Sequence, residues 1–157
     1  FLLDQGAEFN TSTESGLTPI YTAAEEGHLD CLHLLADKGA VIHEASYSKR
    51  SLLYIVILKG HVDCLQFLAN RKVNLYQADI DGLTPLHTAV GSGSIDCLRF
   101  LINRGININQ PTKLGFTPVY LACLGGRIKC LEFLAENKAD LDKADYEGLT
   151  PAYIAAA

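Results

Sequence analysis

Apolar and polar positions in this chain follow two short registers that recur together. Between Asp79 and Pro111 a polar cluster, Asp79-Ile80-Asp81-Gly82, precedes a short apolar stretch, Leu86-His87-Thr88-Ala89-Val90. After Gly91-Ser92-Gly93, a second stretch places Ile95, Leu98, Leu101 and Ile102 at helical spacing, up to Arg104-Gly105. The cluster predicts a turn in which Gly82 takes a positive φ. Thr84 is the expected N-cap, and Pro85 follows at the first helical position, where a missing N–H costs nothing. The first helix is expected to stop at Gly91-Ser92-Gly93. The second is expected from Ile95 to Asn103, with Gly105 as a left-handed cap. Ile106-Asn107-Ile108-Asn109 then leads into the next turn. Helices this short do not hold alone, since about 12–15 residues are needed for marginal stability in water. Packing between neighbouring units has to supply the rest.

The same two registers repeat along the chain. Gly-x-Thr-Pro stands at Gly16-Leu17-Thr18-Pro19, Gly82-Leu83-Thr84-Pro85, Gly115-Phe116-Thr117-Pro118 and Gly148-Leu149-Thr150-Pro151. The slot between the first two falls at Lys49-Arg50-Ser51-Leu52, where the motif has eroded and the 33-residue register holds. A second marker keeps the same step: Gly27-His28-Leu29-Asp30-Cys31-Leu32, Gly60-His61-Val62-Asp63-Cys64-Leu65, Gly93-Ser94-Ile95-Asp96-Cys97-Leu98 and Gly126-Arg127-Ile128-Lys129-Cys130-Leu131. Two motifs locked to one period describe a repeat array, in which each unit buries its apolar face against its neighbours.

Period, turn and paired helices resemble the ankyrin repeat, whose signature is T-P-L-H-x-A on a 33-residue unit. Thr84-Pro85-Leu86-His87-Thr88-Ala89 matches it fully. Thr18-Pro19-Ile20-Tyr21-Thr22-Ala23, Thr117-Pro118-Val119-Tyr120-Leu121-Ala122 and Thr150-Pro151-Ala152-Tyr153-Ile154-Ala155 match with tyrosine in place of histidine. The resemblance implies an all-α ankyrin-repeat solenoid of stacked helix-turn-helix units joined by β-turn loops. Its expected divisions are the end of a preceding repeat at 1–12 and full repeats at 13–45, 79–111 and 112–144. A degenerate repeat spans 46–78 and a partial one 145–157. Leu2 and Leu3 at one end and Ile154-Ala155-Ala156-Ala157 at the other are apolar, unlike polar capping repeats, so a longer array is expected around the chain. Phe1-Leu2-Leu3 lacks the basic region of a secretory leader.

Two departures stand out. Ser51-Leu52-Leu53-Tyr54-Ile55-Val56-Ile57-Leu58 lacks the proline and carries Val56 and Ile57 where small residues are usual. Ser51 still caps, so a helix is expected there, with its extra bulk filling a gap or displacing a neighbour. Lys72 and Lys138 occupy the left-handed position held elsewhere by Gly6, Gly39 and Gly105, at a cost of about 1 kcal/mol unless the turn changes shape.

Composition narrows the chemistry. A formal charge of −5, from 13 basic and 18 acidic residues, argues against a nucleic-acid partner, which requires a basic surface. No apolar run approaches the roughly 20 residues of a membrane-spanning helix. Cys31, Cys64, Cys97 and Cys130 fall 33 apart, with Cys123 outside the series. Stacked helices lie about 8–10 Å apart, and a disulfide requires Cα atoms within about 7 Å. The cysteines therefore read as small buried hydrophobes in an intracellular, cytoplasmic protein, with the nucleus as the alternative. His28 and His61 recur near the inter-helix turn and read as structural. His33 and His43 read as surface residues, and the resemblance gives His87 a hydrogen-bonding role around the Thr-Pro turn. No catalytic, cofactor or metal constellation is present, so neither an enzyme nor a cofactor is expected.

The resemblance implies a monomeric protein-protein interaction scaffold whose partner docks on the concave side, formed by turn tips and first-helix ends. The alternatives are a regulatory or targeting segment of a larger enzyme or channel, or a spacer in a longer array. Matching positions are Glu14, Leu17, Tyr47, Arg50, Ile80, Asp81, Leu83, Lys113, Leu114, Phe116, Tyr146, Glu147 and Leu149 at the tips. Glu25, Glu26, Lys59, Ser92 and Leu124 occupy the first-helix ends. Leu17, Leu83, Phe116 and Leu149, with Tyr47 and Tyr146, are expected to form an apolar row of the kind that marks binding sites. Asn10 and Asn109 stand where similar proteins accept asparagine hydroxylation.

Overall fold

The computed structural model describes residues 9–14, 16–42 and 51–156. Its helices fall into two compact units divided between Val73 and Asn74. The first holds α1 (Pro19–Glu25), α2 (Leu29–Asp37), α3 (Leu52–Lys59) and α4 (Val62–Asn70). The second holds α5 (Pro85–Ser92), α6 (Ile95–Asn103), α7 (Pro118–Leu124), α8 (Ile128–Glu136) and α9 (Pro151–Ala156). Helix starts keep the 33-residue step: Pro19, Leu52, Pro85, Pro118 and Pro151 open first helices, and Leu29, Val62, Ile95 and Ile128 open second helices. No strand occurs among the described residues. The chain is an all-α repeat solenoid.

The local chemistry follows the expected caps. Thr18, Ser51, Thr84 and Thr117 hold extended backbone, and each hydroxyl accepts an amide three residues on, from Tyr21, Tyr54, His87 and Tyr120. Ser51 therefore starts α3 without proline. One boundary differs from expectation: α5 continues through Gly91 to Ser92, and Gly93 (φ +78) is the left-handed cap. The Ser92 hydroxyl, donating to the Ala89 carbonyl, supports this extension. Lys72 (φ 62) and Lys138 (φ 63) do adopt the left-handed conformation after α4 and α8.

Within the first unit α1 packs on α2 and α3, while α4 packs on α2 and α3. Ile20, Ala24, Leu32, Val56, Ile57, Leu65 and Leu68 are sealed from solvent. The bulk of Val56 and Ile57 is thus absorbed into the core. Lys59 pairs with Glu25 at 3.2 Å, and Arg71 pairs with Asp37. His61 Nε2 donates to the Glu25 carbonyl at 2.9 Å, an acceptor at the end of α1. Gly27 (φ +72) makes room for that ring: a Cβ there would stand 2.6 Å from Nδ1.

In the second unit α5 packs on α6 and α7, α7 on α8 and α9, and α6 on α8. Leu86, Ala89, Val90, Leu98, Leu101 and Leu134 form its sealed centre. Arg127, at the position of His61, donates through Nε to the Gly91 carbonyl at 3.0 Å. Two different side chains therefore satisfy the same backward bond to a first helix.

All five cysteines are free. Cys64, Cys97 and Cys130 are buried as expected, and burial raises their pKa values, with Cys97 pushed up to about 12. Cys31 departs from this: it is exposed, beside an open groove of about 590 Å³ lined by Thr13, Leu17, Thr22, His28 and Leu35. No described helix packs on the side of α2 that, in α4, is covered by its predecessor. His33 is exposed as expected, its ring 4.3 Å from that of Phe67. His43 and the ends at 1–8 and 157 lie outside the described residues.

Candidate partner-binding surface

The three turn tips of the second unit are built by one rule. The residue that opens the turn accepts two forward amides through its side chain. Asp79 Oδ1 takes those of Asp81 (2.9 Å) and Leu83 (2.8 Å). Thr112 Oγ1 takes those of Leu114 (3.3 Å) and Phe116 (3.1 Å). Asp145 Oδ1 takes those of Glu147 and Leu149, both at 2.9 Å. Backbone bonds Asp79 N to Leu83 O, Thr112 N to Phe116 O and Asp145 N to Leu149 O close each tip at 2.9–3.0 Å.

In the second unit successive tips also bond to one another. The Lys113 amide donates to the Asp81 carbonyl at 3.0 Å, and the Tyr146 amide to that of Leu114 at 3.3 Å. This approach is why the motif glycines are needed. A Cβ on Gly82 would stand 2.8 Å from Lys113 N, and one on Gly115 would stand 2.6 Å from Tyr146 N. The tips of this unit form a hydrogen-bonded ladder.

First helices reach this ladder through their third residue. His87 Nδ1 accepts from the Thr84 amide at 3.0 Å, which leaves Nε2 carrying the hydrogen that it donates to the Gln110 carbonyl at 2.9 Å. Burial lowers the His87 pKa, against the opposing pull of those carbonyl bonds and of Asp79. Tyr120 fills the same place in α7, and its hydroxyl donates to Asp145 Oδ2 at 3.0 Å. Burial opposes charge on Asp145, yet bonds from the Leu149 amide, the Tyr120 hydroxyl and the Glu147 and Gly148 amides hold its pKa below the usual value. Burial, followed by this carboxylate, raises the Tyr120 pKa.

A family model described as ankyrin repeats (3 copies) matches residues 42–112, and another described as ankyrin repeats (many copies) matches 1–35 and 125–157. The chain belongs to the ankyrin repeat family. No curated protein matches it. Ankyrin repeats are in general protein-protein interaction modules, and they form a non-enzymatic fold. Among the described residues, no helix is long and apolar enough to cross a membrane.

The ankyrin tips display the candidate residues unevenly. In the first unit Glu14 and Glu26 are exposed and Leu17 is half-buried. Glu25 and Lys59 are occupied by their mutual ion pair. Tyr47 and Arg50 lie outside the described residues. In the second unit Ile80 is 83% exposed, Tyr146 72% and Leu83 37%, whereas Phe116 and Leu149 are half-buried. Phe116 lies flat against Tyr120, ring centroids 4.6 Å apart. Asp81, Lys113 and Glu147 are exposed. Ser92 is engaged with Ala89 and with Ser94. Leu124 is 58% exposed at the end of α7.

Sequence reasoning placed Leu114 at a tip but left it out of the apolar row, and it is 63% exposed. The available signal was a leucine where the sister turns carry Asp81 and Glu147. Of the asparagines, Asn10 is exposed, while Asn109 Oδ1 accepts the Asp140 amide at 2.8 Å and ties successive loops together.

Proposed function

We propose that the chain is a non-catalytic binding scaffold that takes a partner protein on its turn tips and the first-helix face beside them. The observation that carries this reading is the exposure of Ile80, Leu114 and Tyr146 on successive tips of a hydrogen-bonded ladder. Large apolar side chains held rigidly at a surface lose little freedom on binding, so more of their burial appears as affinity. Ile80 and Leu114 are mostly free of packing, whereas the Tyr146 ring lies close to Gly115. Phe116 is a poorer reporter, because its ring supports Tyr120.

The test is capture from the source cell by the wild-type chain and by the triple variant Ile80→Ser, Leu114→Ser, Tyr146→Ser. Matched melting temperatures and at least one protein enriched about tenfold on the wild type are expected. Identical capture profiles would remove the tips as the binding surface.

A further inference from the structure

The turn joining α7 to α8 breaks the period in a consistent chemical direction. Second helices α2, α4 and α6 carry Asp30, Asp63 and Asp96 in their first turn, where acid complements the helix dipole. In α8 that place is held by Lys129, and its first turn holds no acid. Two residues back, Arg127 replaces the histidine or serine of the sister units. Leu124 and Ile128 beside them are 58% and 63% exposed, whereas Leu29, Val62 and Ile95 at the place of Ile128 are half-buried.

One bond ties these side chains to the turn, from Arg127 Nε to the Gly91 carbonyl at 3.0 Å. That bond fixes the guanidinium. Its stem runs beside Gly93 and Gly125, where an added Cβ would stand 3.4 Å from Cδ or Cγ. The two terminal nitrogens of Arg127 and the Lys129 ammonium make no ion pair among the described residues. The acids nearest in sequence and register are Glu132, one turn along α8, and Asp96, at the matching place on α6.

We propose that Leu124, Arg127, Ile128 and Lys129 form a second docking surface, for a short acidic segment of a partner protein that bears apolar side chains. Charge complementarity selects this occupant: two cations, one of them anchored at Arg127 Nε, within six residues that also expose Leu124 and Ile128, fit carboxylates alternating with an apolar anchor. An anionic membrane fits less well. A lipid surface meets the whole face of a chain whose charge is −5, whereas a short peptide meets only groups within a Debye length of about 8 Å.

The experiment is selection of a phage-displayed random peptide library on the native chain. Enriched peptides are then assayed against Arg127→Ser with Lys129→Asp, which installs the residues of the sister turn at Ser94 and Asp96. Acidic, apolar-bearing peptides are expected, binding the variant about tenfold less tightly while keeping their affinity for the triple tip variant. Absence of acidic enrichment, or equal affinity for the double variant, overturns the proposal. So does binding to vesicles of phosphatidylcholine and phosphatidylserine that the double variant abolishes, since it makes lipid the occupant. Loss of affinity on the tip variant instead would assign the peptides to the tips, leaving the proposed scaffold function intact and this second surface refuted.

Discussion

α5 and α7 begin with the same Thr-Pro step, yet they fasten to the following loop through different chemistry. In α5 a neutral imidazole bridges the Thr84 amide and the Gln110 carbonyl. In α7 a phenol reaches the Asp145 carboxylate, which itself organises the next tip. The repeat therefore specifies where a first helix must grip the next loop and leaves open which group does it. The choice sets how each junction responds to acid and to substitution.

The largest effect should come from forcing the tips apart. Gly115→Ala places a Cβ 2.6 Å from the Tyr146 amide at φ +88, whereas Gly148 (φ +87) has nothing within 4 Å. Gly115→Ala should cost upward of about 2 kcal/mol and Gly148→Ala only about 1, measured by urea unfolding. Equal costs would mean that the tip-to-tip approach contributes nothing. Next in size is His87→Ala, which strands the buried Thr84 amide and removes the bond to the Gln110 carbonyl, and should cost about 1–3 kcal/mol. His87→Tyr with Thr112→Asp, which installs both partners of the α7 solution, should cost less.

The pH response separates the two junctions further. Burial keeps His87 neutral, so the unfolded chain takes up a proton before the folded one as pH falls. Its contribution is complete above about pH 6.5 and is lost as pH falls from there through the lower folded pKa. Asp145, with its pKa lowered, keeps its contribution until pH drops below about 3.8 and loses it through its folded pKa. His87→Tyr should flatten the stability profile between pH 7 and 5 and leave the acid limb unchanged. A profile that keeps its slope near pH 6 would place the titration elsewhere. The smallest effect concerns the helix exits: Lys138→Gly should stabilise by about 1 kcal/mol, and Gly105→Lys should destabilise by a similar amount. Both positions are exposed, and a Cβ at Gly105 meets nothing within 4 Å, so backbone conformation alone is being exchanged.

Much of the scaffold was legible in the sequence because its determinants are local. Thr or Ser at the cap, proline after it and glycine at a positive φ act within a few residues, so even the eroded start at Ser51 could be read. Features that depend on a partner tens of residues away were not legible. His61 and Arg127 reach back to carbonyls of a preceding helix. Cys31 is exposed, with no described helix over it, although its sequence context matches that of buried Cys64. For the candidate surface, the resemblance to the ankyrin motif located the tips but not their exposure. Phe116 turned inward onto Tyr120, and Leu114 faced out.

The central claim is that residues keeping the period build the scaffold, while exceptions on its tips bind the partner. Amide hydrogen exchange of the chain, free and with a captured partner, tests it most directly. The expected result is slowed exchange in segments 79–83, 112–116 and 145–149, with α6 unchanged. Protection confined to α6 or to the other second helices, with the tips unaffected, would contradict it.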